Sequence, residues 1–226
     1  MLCESESGYV WNFVIYTGQG TMFDNDYEDL PVSSKIVMTL MKPLLKKGYC
    51  LTMDDYYNSP QLADLLTENE TDVYGTVRVS RKEMPSGLKQ EKLQKGGMVA
   101  YKRRKVTAIK WKDKKDVVLL STVHNTEMVE TEKRGKLVKK PKLVMDYNNT
   151  MGGVDKVDQR LQDYPLTRKR RKRYYKKIFF HIVDFALWNS YLLYLKSGGE
   201  ATALKYRLQV IDETIKKYHT PMMSSK

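Results

Sequence analysis

Hydrophobic positions along this chain follow first one period, then another. Residues 34–47 place Ile36, Val37, Leu40, Met41, Leu44 and Leu45 on one helical face. Ser33 or Ser34 is the candidate N-cap, Gly48 stands just past the end, and Pro43 is expected to kink the helix. Before it, residues 9–16 are rich in aromatic and β-branched side chains and predict a strand entered through a turn at Gly8. Gly18 and Gly20 close that strand, and the acidic residues 24–29 read as a loop. Residues 49–53 predict a short buried strand with Asp54 at its C-terminal end. A helix over 61–66 and a strand over 73–79 follow. Strands alternating with helices predict an α/β sheet.

The pattern shifts from residue 98 to 123, where short apolar-polar alternations are broken by KRRK and KWKDKKD. This predicts a β-rich insertion with a basic surface, followed by a linker at Pro141. Residues 147–162 give turn signals and then a short helix. The longest helical pattern covers 168–196, with Ile178, Phe179, Ile182, Val183, Phe185, Ala186, Trp188, Asn189 and Leu192 on a broad apolar face read as core. Gly198 and Gly199 end it, and residues 204–218 form a last helix. The expected division is 1–80 for the first part of a core, 81–140 for the insertion, and 141–226 for the remainder with long C-terminal helices. No internal repeat is visible.

Composition narrows the partners. Of 226 residues 41% are hydrophobic, enough for a core, and the net charge is +13 with a pI near 9.5. Such charge favours a polyanion, although a solvated basic surface has the same composition. No signal peptide is legible, and no run of about 18 apolar residues is expected to span a membrane. Cys3 and Cys50 are read as reduced thiols of an intracellular protein, and two cysteines with three scattered histidines predict no zinc site. His124 and His181 are read as structural, and Trp111 and Trp188 as core.

Four carboxylates stand where chemistry is common. Glu4 and Asp54 follow strands, while Asp155 and Asp158 are spaced to share one helix face. Gathered in a crevice, such acids would select Mg²⁺ or Mn²⁺, and a metal pair about 3.5–4 Å apart can drive phosphodiester chemistry. Spacing alone leaves the alternative open that they are strand-end and helix-start caps.

Several ordered blocks carry a resemblance. CESESGYVWNFVIYTG resembles the first catalytic strand and hairpin of piggyBac transposases, written C-D-S-x-T-G-Y in that family. MDDYYNSP resembles the second block, and GTVRVSRKEMP follows at the family distance. VMDYNNTMGGVDKVDQ matches D-Y-N-x-x-M-G-G-V-D-x-x-D-Q, and KRYYKKIFFHIVDFALWNSYLLY fits the later helix. The resemblance implies a ribonuclease-H-like, retroviral-integrase-type core that cuts and joins DNA with divalent metal at TTAA sites. It implies Asp54 and Asp155 as catalytic, metal-binding aspartates and Asp158 as the additional acid beside them. Glu4 departs from the family aspartate, and Asp55 stands where the family has asparagine. Only three residues precede Glu4, so most of a central first strand is expected to be missing. The family's N-terminal DNA-binding region and C-terminal cysteine-rich zinc-binding domain are also absent from this sequence.

Basic runs complete the picture. Arg168, Lys169, Arg170, Arg171, Lys172 and Arg173, mixed with Tyr174 and Tyr175, combine phosphate-neutralising cations with aromatics that can stack on bases, and resemble a nuclear localisation signal. Lys102, Arg103, Arg104 and Lys105, with the lysines of 110–115, form a second candidate DNA-contacting patch. Gly152 and Gly153 allow either a close approach to phosphate or a plain turn. The leading expectation is a nuclear, transposable-element-derived DNA-binding protein with an impaired transposase core. It would contact DNA through the backbone, with a second copy of the chain as a further candidate partner and no membrane. The alternatives are an active metal-dependent transposase or nuclease, and a domesticated protein-interaction module.

Overall fold

Chain order in the computed structural model, which describes residues 1–133, 135–166 and 173–219, opens with a ribbon of β1 (Leu2–Cys3) and β2 (Val10–Asn12). The strand expected over 9–16 is thus three residues long. α1 (Val32–Met41), β3 (Cys50–Met53), α2 (Pro60–Glu68), β4 (Asp72–Thr76) and α3 (Gly87–Gln90) follow. Then come β5 (Met98–Arg103), β6 (Val106–Lys112), β7 (Asp116–Ser121), β8 (Met128–Lys133) and β9 (Lys136–Pro141). The last elements are α4 (Lys142–Thr150), α5 (Gly153–Asp163), α6 (Tyr174–Lys196) and α7 (Ala203–Tyr218). The contacts divide the chain into two units, Met1–Leu2 with Asn12–Gly152, and Cys3–Trp11 with Gly153–Lys226.

The first unit is built on a mixed five-stranded sheet of order β3-β4-β7-β6-β5. β3 and β4 run parallel, with Cys50 opposite Asp72 and Met53 opposite Gly75, because α2 carries the chain back between them. The remaining neighbours are antiparallel. The basic segment expected as an insertion therefore extends the core sheet through β5–β7, and β8–β9 form a separate ribbon.

Strand alternation sorts two cores. Met53, Val73, Val106 and Leu120 face α1 and α2, where Val37, Met38, Met41, Leu62, Ala63 and Leu66 are buried. Their neighbours Tyr74, Ile109, Trp111 and Leu119 face the opposite side and pack on Leu143, Val144 and Tyr147 of α4. α1 stops at Met41 and passes into a 3-10 turn at Lys42–Leu44, so Pro43 ends the helix where a kink was expected.

Gly75 is required where the two parallel strands meet. Its φ is +156°, and a Cβ there would lie 1.9 Å from the Met53 carbonyl oxygen. Gly75→Ala is expected to destabilise the first unit by about 3 kcal/mol, combining backbone strain with steric overlap. Urea unfolding measures this, and a loss below about 1 kcal/mol would contradict the close approach.

In the second unit, Asn189 of α6 accepts the Val10 N–H and donates to the Val10 carbonyl, both at 2.9 Å. The Trp188 indole donates to the Gly8 carbonyl at 3.0 Å. Trp188 is half-buried, whereas Trp111 is core as expected. The apolar face of α6 was expected to be core throughout. It buries only Asp184, Phe185 and Leu192, while Phe179 and Leu193 are exposed. The helix is apolar on more sides than its neighbours cover. By length and composition alone α6 could cross a membrane, contrary to the expectation of no such run. Its central polar groups have partners within the unit, Asp184 with Arg207 and Asn189 with Val10. Cys3 and Cys50 are both free, and burial pushes the Cys3 thiol up to about 11.

Candidate functional site

Asp54 follows β3 at its C-terminal end. Thr52 faces α4 and Met53 the opposite core, so alternation turns Asp54 toward the α4 side. Its carboxylate accepts the Tyr56 N–H at 3.0 Å and is otherwise exposed. Tyr147 of α4 stands nearby. Burial raises its phenol pKa, and the charges of Asp54 and Asp55 add to the rise. Asp55 is turned to Arg78, with Nε to Oδ2 at 3.3 Å.

α4 is held on the sheet by hydroxyl groups that periodicity did not single out. Thr150 donates to the Asp146 carbonyl at 2.8 Å and accepts from Thr52 at 3.0 Å. Its single proton being committed, the Tyr74 hydroxyl donates to it at 2.9 Å. The Tyr147 and Thr76 hydroxyls bond at 3.1 Å. Ser121 Oγ accepts the backbone N–H groups of Val123 and His124, so its proton goes to His124 Nδ1 at 2.9 Å. That leaves His124 Nε2–H to donate to Asp146 at 2.9 Å. Ser121 is fully buried, so the Ser-His-Asp array anchors α4 and presents no nucleophile to solvent. The signal for this anchor was the DYN of the VMDYNNTMGGVDKVDQ block.

Glu4, Asp155 and Asp158 belong to the second unit. Asp155 is in the first turn of α5, where a carboxylate complements the helix dipole. Asp158 lies one turn on; both are exposed, while Val157 and Leu161 face inward. α5 packs directly on the turn that carries Glu4. A Cβ on Gly153 would approach the Glu4 carbonyl and the Ser5 Cα to 3.2 Å. Lys156 donates to the Ser5 and Glu6 carbonyls, both at 3.1 Å. Gly153 thus serves the packing of backbone on backbone.

The Glu4 side chain closes its own turn. One oxygen accepts the Glu6 N–H at 2.9 Å, and the other accepts the Ser7 N–H at 2.6 Å and the Ser7 hydroxyl at 2.5 Å. Burial pushes its pKa up, but these hydrogen bonds and the Lys196 ammonium outweigh burial and hold it below the usual range. Three of about four acceptor directions are occupied, so Glu4 does not fit the part of a metal ligand. Asp54, Asp155 and Asp158 are accessible carboxylates of the right chemistry. Among the described residues, no group of three or more His, Cys, Asp or Glu side chains is placed to hold a metal ion.

The basic patches divide. Arg103 is bound by Asp64 and by Glu83, the latter at 2.9 Å, and Lys105 by Asp72 at 2.6 Å. Lys110 is buried and donates to the Leu88 and Glu91 carbonyls at 3.0 and 2.6 Å. Lys112 pairs with Asp116 at 2.7 Å. Lys102 and Arg104 remain exposed, with no carboxylate partner among the described residues. Arg168, Lys169, Arg170, Arg171 and Lys172 lie outside the described residues. Arg173 precedes α6, whose first turn holds no acid and receives no side-chain cap. Lys176 and Lys177 add two more cations there, and Tyr174 and Tyr175 are exposed and packed edge-on.

Residues 1–191 match the Transposase IS4 family, and the chain belongs to it. Within that family the type is piggyBac. Human PiggyBac transposable element-derived protein 2 is 26% identical over 191 residues, 78% of this chain and 32% of that protein. Human PiggyBac transposable element-derived protein 3 is 23% identical over 230 residues, 95% of this chain and 38% of that protein. The chain spans about a third of the length of these curated relatives. A cryo-EM structure of piggyBac transposase in a synaptic complex with hairpin DNA superposes with a TM-score of 0.81 and 26% identity. That match covers 98% of this chain and 48% of the transposase chain.

Proposed function

We propose that this chain is a transposable-element-derived DNA-binding protein on a ribonuclease-H-like transposase core whose strand-cleaving capacity is impaired. The observation that carries the DNA reading is the start of α6. Uncapped backbone N–H groups and the positive dipole end meet Arg173, Lys176 and Lys177 with no acid in the first turn, an arrangement that a phosphate would stabilise. The DNA in the similar transposase structure supports the same reading. The run from Arg168 to Arg173 also supports a nuclear location.

Impairment is supported by Glu4. In place of the family aspartate it holds its own turn, and Mg²⁺ tolerates little departure from octahedral geometry. Asp54 in the first unit and, separately, Asp155 and Asp158 in the second are the carboxylates that could ligate a divalent ion, which would supply Lewis-acid activation of the phosphodiester. The expected result with a labelled TTAA-flanked DNA end and Mg²⁺ or Mn²⁺ is no nicking by the unmodified chain. Metal-dependent nicking that vanishes in Asp155→Ala would establish the active-transposase alternative.

A further inference from the structure

The loop that leaves β4 carries a serine among cations. Arg78 stands two places before Ser80, and Arg81 and Lys82 directly follow it. The Arg81 N–H bonds the Arg78 carbonyl at 3.0 Å, which sets Val79 and Ser80 at the tip of a tight turn. Val77 on one side of the turn is buried, and Met84 on the other packs on the same core. Ser80 is exposed, and its hydroxyl has no hydrogen-bond partner among the described residues. Thr76 also stands two places before an arginine, but it lies on β4 with its hydroxyl bonded to Tyr147 at 3.1 Å. The turn lies against the segment that follows Asp54. Arg78 Nε reaches Asp55 at 3.3 Å, and its guanidinium stands 5.9 Å from the centre of the Tyr56 ring. Arg81 donates to the Asp55 carbonyl at 3.3 Å and to the Tyr56 carbonyl. The adjacent acid, Glu83, is bound to Arg103 at 2.9 Å.

We propose that Ser80 is a phosphorylation site for a serine/threonine kinase that reads cations on both sides of its target, and that the phosphate weakens DNA contact at the Asp54 end of the sheet. Kinases select substrates by charge pattern, and an acidic substrate groove suits a serine flanked by Arg78, Arg81 and Lys82. The exposed turn offers such a groove a free hydroxyl, which β4 does not. In the transfer, Ser80 Oγ attacks the γ-phosphorus of ATP. The new O–P bond forms as the bond to the ADP oxygen breaks, and the hydroxyl proton passes to the catalytic aspartate of the kinase. The product carries about 1.5 to 2 negative charges at neutral pH and three strong acceptor oxygens. Arg78 and Asp55 form a solvent-screened pair between half-exposed groups, weaker than the bidentate bond a phosphate offers the same guanidinium. Arg78 therefore turns to the phosphate, Lys82 stands beside it, and the cations next to Asp54 are neutralised from within the chain. The effect on DNA rests on the DNA reading above; the transfer to Ser80 does not.

The test incubates the folded 226-residue chain with MgATP and the catalytic fragment of protein kinase C, and maps the phosphate by tandem mass spectrometry. Phosphate on Ser80 is expected, at a rate that falls about tenfold in R78Q/K82Q. Its absence from Ser80 overturns the proposal, and its presence only on a free peptide of residues 74–86 does the same, since the turn then shields the hydroxyl. Phosphorus NMR of the modified chain should show a second pKa below the ordinary value of about 6, restored by Arg78→Gln. An unshifted titration overturns the capture of Arg78. Relative to Ser80→Ala treated with kinase in the same way, the phosphorylated chain is expected to bind duplex DNA about tenfold more weakly, with a salt slope smaller by about 2. Equal affinity of the two overturns the effect on DNA. If the untreated chain binds no DNA at low salt, that effect falls with the DNA reading, while phosphate on Ser80 still decides the site.

Discussion

Raising salt from about 50 to about 200 mM is expected to weaken duplex-DNA binding by about a thousandfold, with little dependence on base sequence. Each phosphate neutralised by a cation releases condensed counterions, so six contacts give a log–log slope near −5. The six cations at 168–173 form the densest basic run in the chain, and Lys176 and Lys177 extend it onto α6. Changing Arg168, Lys169, Arg170 and Arg171 to glutamine is expected to reduce the slope by about 3 to 4. Arg103→Gln and Lys105→Gln are expected to move it by less than about 1, because internal carboxylates already neutralise those cations. Fluorescence anisotropy at several salt concentrations reads both slopes. Binding indifferent to salt, or absent at low salt, would sink the DNA reading. Equal effects from the two groups would show that the internal ion pairs open on binding.

Arg207→Met is expected to destabilise the second unit by about 4 kcal/mol. Asp184 is 5% exposed, and its carboxylate binds Arg207 of α7 at 2.5 Å. Among the described residues its other hydrogen bond is from the Leu166 N–H at 3.4 Å, too long to compensate a buried charge. Removing the guanidinium leaves a buried carboxylate without its ion-pair partner. Removing both charges avoids that penalty, so D184N/R207M is expected to recover much of the loss. Urea unfolding followed by circular dichroism at 222 nm measures the cycle. A single-variant cost below about 1 kcal/mol would mean that water reaches Asp184 in solution.

Periodic elements were legible where one face is buried and the other is not. The helices at 61–66 and 204–218 and the strand ending before Asp54 occur close to their expected places. α4 was missed because Asp146, Asn148 and Asn149 read as turn residues, although Leu143, Val144 and Tyr147 form a buried helical face. The family was legible from ordered motif blocks, and the Transposase IS4 match bears it out. The ion pairs of Arg103 and Lys105 were not legible. Their partners Asp64, Glu83 and Asp72 lie tens of residues away, and only strand pairing brings them within reach. Nor could the sequence show that Glu4 closes its own turn. A glutamate before Ser-Glu-Ser-Gly serves equally as turn acceptor or as ligand until its hydrogen bonds are known.

The embrace of Val10 by Asn189 joins residues 179 positions apart. During synthesis at about 5–20 residues per second, the N-terminal hairpin leaves the ribosome some 10–40 s before its partner helix exists. The sheet unit, bounded by Asn12 and Gly152, can close in that interval. The hairpin's link to α6 cannot form in that interval, so the Val10 backbone N–H and carbonyl stay without their Asn189 partner on the nascent chain until α6 has emerged.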